Sequence, residues 1–171
     1  MKIVLVGYMG SGKSTIGKLL AKGLDYQFID LDEYTEKAEG ISIPQIFEDK
    51  GEIYFRKKES LYVAETLSEN EKVILSLGGG TPCYGKNMED ILELTDKVFY
   101  LKLSVNRLTK RLLNEKNERP LIKDIADEDL PEFVGKHLFE RSVFYRKAHF
   151  TIECDDKRPE TIALEIEEAL V

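Results

Sequence analysis

The run GYMGSGKS from Gly7 to Ser14 satisfies the pattern G-x-x-x-x-G-K-[ST]. Glycines in such a loop let the backbone curl until successive N–H groups converge on a phosphate, and a helix starting near Lys13 adds the positive end of its dipole. Gly10, Ser11 and Gly12 then form the cradle, and Lys13 bridges the β- and γ-phosphates. Ser14 offers a hydroxyl to Mg2+, and Thr15 reaches the α-phosphate. The rival is a chance glycine-rich turn, but an apolar run before the loop and helical spacing after it supply the strand-to-helix context the motif needs. A nucleotide with Mg2+ is the expected ligand pair. The loop alone does not separate a kinase from a switch GTPase or a motor; the base-reading pattern N-K-x-D is absent, and the chain is small for a motor.

Phe28-Ile29-Asp30-Leu31-Asp32 sets two carboxylates at the end of an apolar run, at the edge where ligands of open α/β sheets bind. If the strand stays extended, positions i and i+2 share one side. Phosphoryl transfer needs a metal held and a nucleophile oriented, so Asp30 is assigned to the metal side and Asp32 to the acceptor. The plainer role for Asp32 is the N-cap of the polar helical stretch that follows.

Gly78, Gly79 and Gly80 end a third apolar run, Val73–Leu77, and permit close approach of a ligand. Arg56 and Arg141 sit in aromatic-rich helical stretches, where a planar fork can face a carboxylate or phosphate. Glu59, three residues after Arg56, is placed to fix its orientation. Arg119, beside Pro120, can neutralise charge on a transferred phosphoryl group while the loop excludes water. Lys57 and Lys58 read as solvated surface charges. Tyr54 and Tyr145 read as core or pocket wall. Cys83, Cys154, His137 and His149 receive no chemical role.

Taken together these stretches resemble the shikimate kinase family over nearly the whole chain, in order. They are GYMGSGKST from Gly7, FIDLD from Phe28, IPQIF from Ile43, GEIYFR from Gly51, LGGG from Leu77, RPL from Arg119 and ERSVFYR from Glu140. The resemblance implies a P-loop, nucleoside-monophosphate-kinase-like α/β/α fold with a central parallel sheet and a mobile lid. It implies ATP-dependent phosphorylation of the 3-hydroxyl of shikimate, a step of aromatic amino-acid synthesis. Carried over, Asp32, Arg56, Gly79, Gly80 and Arg141 bind shikimate, with both arginines on its carboxylate, and Phe47 and Phe55 line its apolar side. Ser14 ligates Mg2+, Asp30 acts through water, Arg119 is the lid arginine, and Asp32, Lys13 and Arg119 carry the chemistry. The chain departs from the family at the adenine site: Lys110 stands where an arginine often stacks on the base, with Arg107 and Arg111 nearby and Lys157 to Pro159 as the opposite wall. An ammonium stacks less well than a guanidinium.

Positioning these groups requires strands at Ile3–Val6, Phe28-Ile29, Val73–Leu77, Val98–Leu103 and Phe150–Ile152, each a short apolar run as in a buried parallel sheet. Ile16, Leu19, Leu20 and Leu24 recur at helical spacing, as do Ile162, Ile166, Ala169 and Leu170 after Pro159. Further helix is expected over 52–69 and 129–147. Strand and helix in alternation argue for α/β with right-handed crossovers. Residues 31–60 form the expected acceptor segment and 114–127, polar and broken by Pro120, the lid loop.

With 171 residues, one domain covering 1–171 is expected. Hydrophobic residues at 42% and charged ones at 33% fit a globular chain, and a net charge of -7 disfavours nucleic acid as a partner. Two cysteines without C-x-x-C exclude a disulfide framework or zinc site. The opening residues resemble neither a signal peptide nor a membrane span, so a cytoplasmic location is expected; a monomer is the separate expectation for assembly. Rival readings are a kinase for gluconate or a nucleoside monophosphate, since two arginines also clamp phosphate, and a nucleotide-binding regulator without turnover.

Overall fold

A computed structural model describes all 171 residues. Five strands, β1 (Lys2–Val6), β2 (Gln27–Asp30), β3 (Val73–Ser76), β4 (Val98–Lys102) and β5 (Phe150–Glu153), form one parallel sheet in the order β2-β3-β1-β4-β5. Ile3 to Val6 and all of β3 are buried although successive side chains point to opposite faces, so both faces of the central strands are covered.

The covering elements are α1 (Lys13–Leu24), α2 (Leu31–Glu39), α3 (Ile43–Glu69), α4 (Asn87–Leu94), α5 (Val105–Glu115), α6 (Leu130–Tyr145) and α7 (Pro159–Ala169). Helix α1 packs on α7 and on the β1–β3 side of the sheet, while α5 packs on α6. One cluster of 35 buried apolar residues runs through the molecule. Gly17 of α1 lies so close to β2 that a Cβ there would sit 2.4 Å from the Phe28 ring, which brings α1, and the loop before it, tight against the sheet.

Three features differ from the sequence expectation. The strand carrying Asp30 does not extend to Asp32: the chain turns into α2 directly, and Asp30, not Asp32, is its N-cap, accepting from the N–H groups of Asp32 (3.0 Å) and Glu33 (3.3 Å). The helix expected from residue 52 begins at Ile43, capped by Ser42, and kinks at Gly51, whose φ of 83° favours glycine. Helices α4 and α5 were not anticipated, although Ser104 caps α5 ahead of the spaced Val105, Leu108 and Leu112.

The 114–127 segment contains a short 3-10 turn, Lys116–Glu118, and is tied across its span by Lys116 Nζ to Asp127 at 2.7 Å. Ile122 in its middle is fully buried and belongs to the core.

Candidate active site

The C-terminal ends of β1, β2 and β3 open onto a cleft of about 520 Å3 lined by Gly10, Gly12 to Thr15, Asp30, Asp32 and Gly78-Gly79. The Gly7–Gly12 loop leaves β1 through Gly10 (φ 78°) and Gly12 (φ 92°), left-handed conformations that suit glycine, and Gly12 opens α1 without any side-chain cap. Lys13 is buried. Its ammonium donates to the carbonyls of Gly7 (2.8 Å) and Tyr8 (3.1 Å) and to Ser11 Oγ (3.4 Å). Burial lowers its pKa to about 8, partly offset by Asp32.

Ser14 Oγ donates to Asp30 Oδ2 at 2.6 Å, so the hydroxyl and carboxylate assigned to the metal side are in contact. Both are hard oxygen donors, and no group of three His, Cys, Asp or Glu side chains forms a protein-only cage. That donor set fits Mg2+, which keeps several waters and shares its shell with phosphate.

Asp32 sits in the first turn of α2 and faces the open cleft beside Gly78, whose Cβ, if present, would lie 3.0 Å from Asp32 Oδ1. Its surroundings in the cleft withdraw water from it, and with Asp30 and Glu59 nearby its pKa rises to about 6.

The glycine triplet makes room for functional side chains rather than only for a ligand. A Cβ on Gly79 would lie 3.1 Å from Arg141 Nη1 and 3.3 Å from the backbone nitrogen of Met9 in the phosphate loop. A Cβ on Gly80 would lie 2.9 Å from Arg56 Nη2 and 3.3 Å from Arg141 Nη2. Two guanidinium groups from α3 and α6, far apart in sequence, therefore converge on one small stretch of backbone.

Arg56 is held by Glu59, Nη1 to Oε1 at 2.8 Å, as the spacing suggested. Glu59 is itself buried and accepts from Thr81 Oγ1 at 2.6 Å, so the pair is anchored to the turn after the triplet. Arg141 takes part in no ion pair. Like charges placed together with one buried carboxylate, Glu59, and one exposed one, Glu52 at 3.8 Å from Arg56 Nε, to offset them make a strong anion site. Beside it Phe47 packs on Phe55, ring centroids 4.7 Å apart, and the Arg56 guanidinium lies over Phe55 at 5.3 Å. Phe55 is buried and Phe47 is exposed.

Arg119 lines the cleft and is bonded through Nε (2.8 Å) and Nη2 (2.5 Å) to Glu115 Oε2. On the nucleotide side, Lys110 is exposed on α5 and does not line the cleft; Arg111, one residue on, does, with Nη1 donating to Gly10 O at 3.2 Å. A helix turns its side chains by about 100° per residue, which separates the two positions. Pro159 lines the cleft, whereas Lys157 pairs with Glu165 at 2.7 Å. Glu115 was not singled out from sequence; its position four residues before Arg119 was the available signal.

Comparison with known proteins converges on one family. The shikimate kinase family model matches residues 9–171. A shikimate kinase of Flavobacterium psychrophilum is 45% identical, covering 99% of this chain and 98% of its own. The crystal structure of a shikimate kinase from Bacteroides thetaiotaomicron superposes with a TM-score of 0.92 at 34% identity, covering 99% of this chain and 98% of that one. One from Acinetobacter baumannii, solved in complex with shikimate, gives 0.85 at 34% identity, covering 99% and 92%.

Proposed function

Because the chain belongs to the shikimate kinase family, whose reaction transfers the γ-phosphoryl group of ATP to the 3-hydroxyl of shikimate, we propose how its cleft divides that work. The observation that carries the assignment is the convergence of Arg56 and Arg141 on Gly80, beside Asp32 and the phosphate loop. The two guanidiniums take the shikimate carboxylate, with Phe47 and Phe55 along the apolar side, Gly79 and Gly80 allowing the approach, and Asp32 facing the hydroxyl.

Gly10 to Thr15 cradle the phosphates of ATP, and Lys13 exchanges its loop carbonyls for the β- and γ-phosphate oxygens. Ser14 would ligate Mg2+, with Asp30 acting through water, and the ion would supply positive charge to the phosphates. Arg119 leaves Glu115 for the transferring group. Asp32 orients the hydroxyl and accepts its proton as the oxygen attacks. Arg111 and Pro159 flank the nucleotide, with Lys110 and Lys157 at the periphery. Residues 31–60 serve as the acceptor segment and 114–127 as the lid of a single domain spanning 1–171.

The phosphate loop, Asp32 and both arginines already converge within one protomer's fold, and a monomer is the assembly proposed. No helix is long and apolar enough to cross a membrane, and both cysteines are free, which suits a cytoplasmic enzyme. The test is a coupled ADP-release assay with MgATP, comparing shikimate with gluconate, AMP and no acceptor. ADP release that requires shikimate is expected; equal release with gluconate or AMP would refute shikimate as the acceptor that the arginine pair selects.

A further inference from the structure

We propose that His137 and Tyr145 are positioning residues for Arg141, each fastening α6 one turn to either side of that arginine, the first to the phosphate loop and the second to the glycine triplet. The proposal rests on the reading that Arg141 binds the acceptor carboxylate.

Residues 137, 141 and 145 are spaced by four on α6 and form one stripe. At one end, His137 Nδ1 and Tyr8 Oη share a hydrogen bond of 2.8 Å, with the rings edge to face at 5.3 Å. Tyr8 is the second residue of the phosphate loop; it is buried, and its carbonyl accepts from Lys13 Nζ. At the other end, Tyr145 is fully buried and its Oη donates to Gly79 O at 2.6 Å. Gly79 is also the residue against which Arg141 Nη1 lies.

Arg56 owes its orientation to Glu59, but no carboxylate does the same for Arg141. A long side chain without a fixed carboxylate partner gains its aim from where its backbone is held and from what surrounds its tip, here the Tyr145 hydroxyl among others. Here the backbone is held by hydrogen bonds a turn before and a turn after, and both end on loops that shape the cleft. Burial and the nearby Arg141 lower the pKa of His137, and burial pushes Tyr8 up to about 12, so Tyr8 is the O–H donor and a neutral His137 ring the acceptor. The link also gives the nucleotide loop a direct route to the acceptor site: a shift of Tyr8 moves the helix that carries Arg141.

Tyr145→Phe keeps the ring and removes only the O–H; His137→Leu removes the other bond, and His137→Asn restores an oxygen near the Nδ1 position. Steady-state kinetics with shikimate and MgATP should show Tyr145→Phe and His137→Leu raising the shikimate KM about 5- to 20-fold, with kcat and the ATP KM changed less than about twofold. His137→Asn should return the KM towards wild type. Combined with Arg141→Ala, neither change should raise the KM further, since both act through the lost arginine.

An unchanged shikimate KM in both single variants, while Arg141→Ala raises it, would overturn the proposal alone. Effects that multiply with Arg141→Ala would also overturn it, by showing an independent route. An unchanged KM in Arg141→Ala would refute the underlying reading, and the proposal with it. Circular dichroism verifies that each variant folds, and Tyr8→Phe removes the first bond from the other partner if His137→Leu does not.

Discussion

Each glycine of the Gly78–Gly80 triplet faces a side chain assigned to substrate: Gly78 faces Asp32, Gly79 faces Arg141, and Gly80 faces both arginines. The sharpest probe is Gly80→Ala. Its φ is -87°, so alanine meets no backbone strain there, and the whole effect falls on the guanidinium tips less than 3.4 Å away. The shikimate KM should rise about 10-fold or more with ATP affinity kept, measured by initial rates and by nucleotide titration. Asp32→Asn removes a proton acceptor without changing shape, and turnover should fall about 100-fold or more while ATP still binds, as isothermal titration against pre-steady-state rates will reveal. Asp32 also illustrates what spacing hides. Two carboxylates at i and i+2 suggested one strand face, but Asp30 captures the N–H groups of residues 32 and 33 and starts a helix at once. The two acids are brought together by a cap, not by pleat geometry.

Among the elements, α2 and α3 depend on one carboxylate. Glu39, the last residue of α2, accepts from Tyr54 Oη (2.7 Å), Tyr62 Oη (2.5 Å) and Lys50 Nζ (3.2 Å), so it spans the kink at Gly51 and braces the helix that carries Arg56. The hydroxyl of Tyr62, with Tyr54 and Lys50, lowers the Glu39 pKa to about 2 from 4.5. A carboxyl more acidic in the folded state than in the unfolded one adds stability that is fully present above about 4.5 and is lost as pH falls towards about 2. Glu39→Gln should therefore lower Tm at pH 6 and narrow the gap to wild type as the buffer is taken down to pH 3, followed by thermal denaturation at each pH. The five strands and the flanking helices α1 and α7 were legible because their apolar runs are compact and regular. The first segment of α3 was not: the helix read from sequence starts at residue 52, just past Gly51, whereas a further helical stretch from Ile43 joins it across the kink at φ 83°. Lys110 and Arg111 are both cationic, and nothing in their order says which faces the cleft.

For the molecule as a whole, the candidate site draws on residues from Gly10 to Pro159, delivered by β1, β2, β3 and the helices on either side. No subset of adjacent elements contains it, and one core cluster underlies them all. Heat inactivation and loss of ellipticity should share one midpoint within about 2 °C, as expected for a domain that unfolds cooperatively; a midpoint for activity well below that for ellipticity would reveal a separately melting part. The phosphate loop, Asp32 and the arginines were readable from residue type and order. Glu59 as the brace of Arg56 was readable too, from its spacing; the further bracing through Thr81, Tyr8 and Tyr145 was not, because such contacts arise only when the sheet order sets β3 beside β1.

If the 114–127 segment works as the lid proposed above, Ile122, buried in its middle, is the hydrophobic latch that holds it down. Swinging it out would wet that isoleucine at a cost of about 1.5–3 kcal/mol, on top of the Lys116–Asp127 tie. Trimming the latch to alanine makes escape of ADP easier and entry of water easier by the same amount. Ile122→Ala should hence show faster nucleotide exchange together with a several-fold rise in futile ATP hydrolysis when shikimate is withheld, readable as phosphate released into an acceptor-free assay.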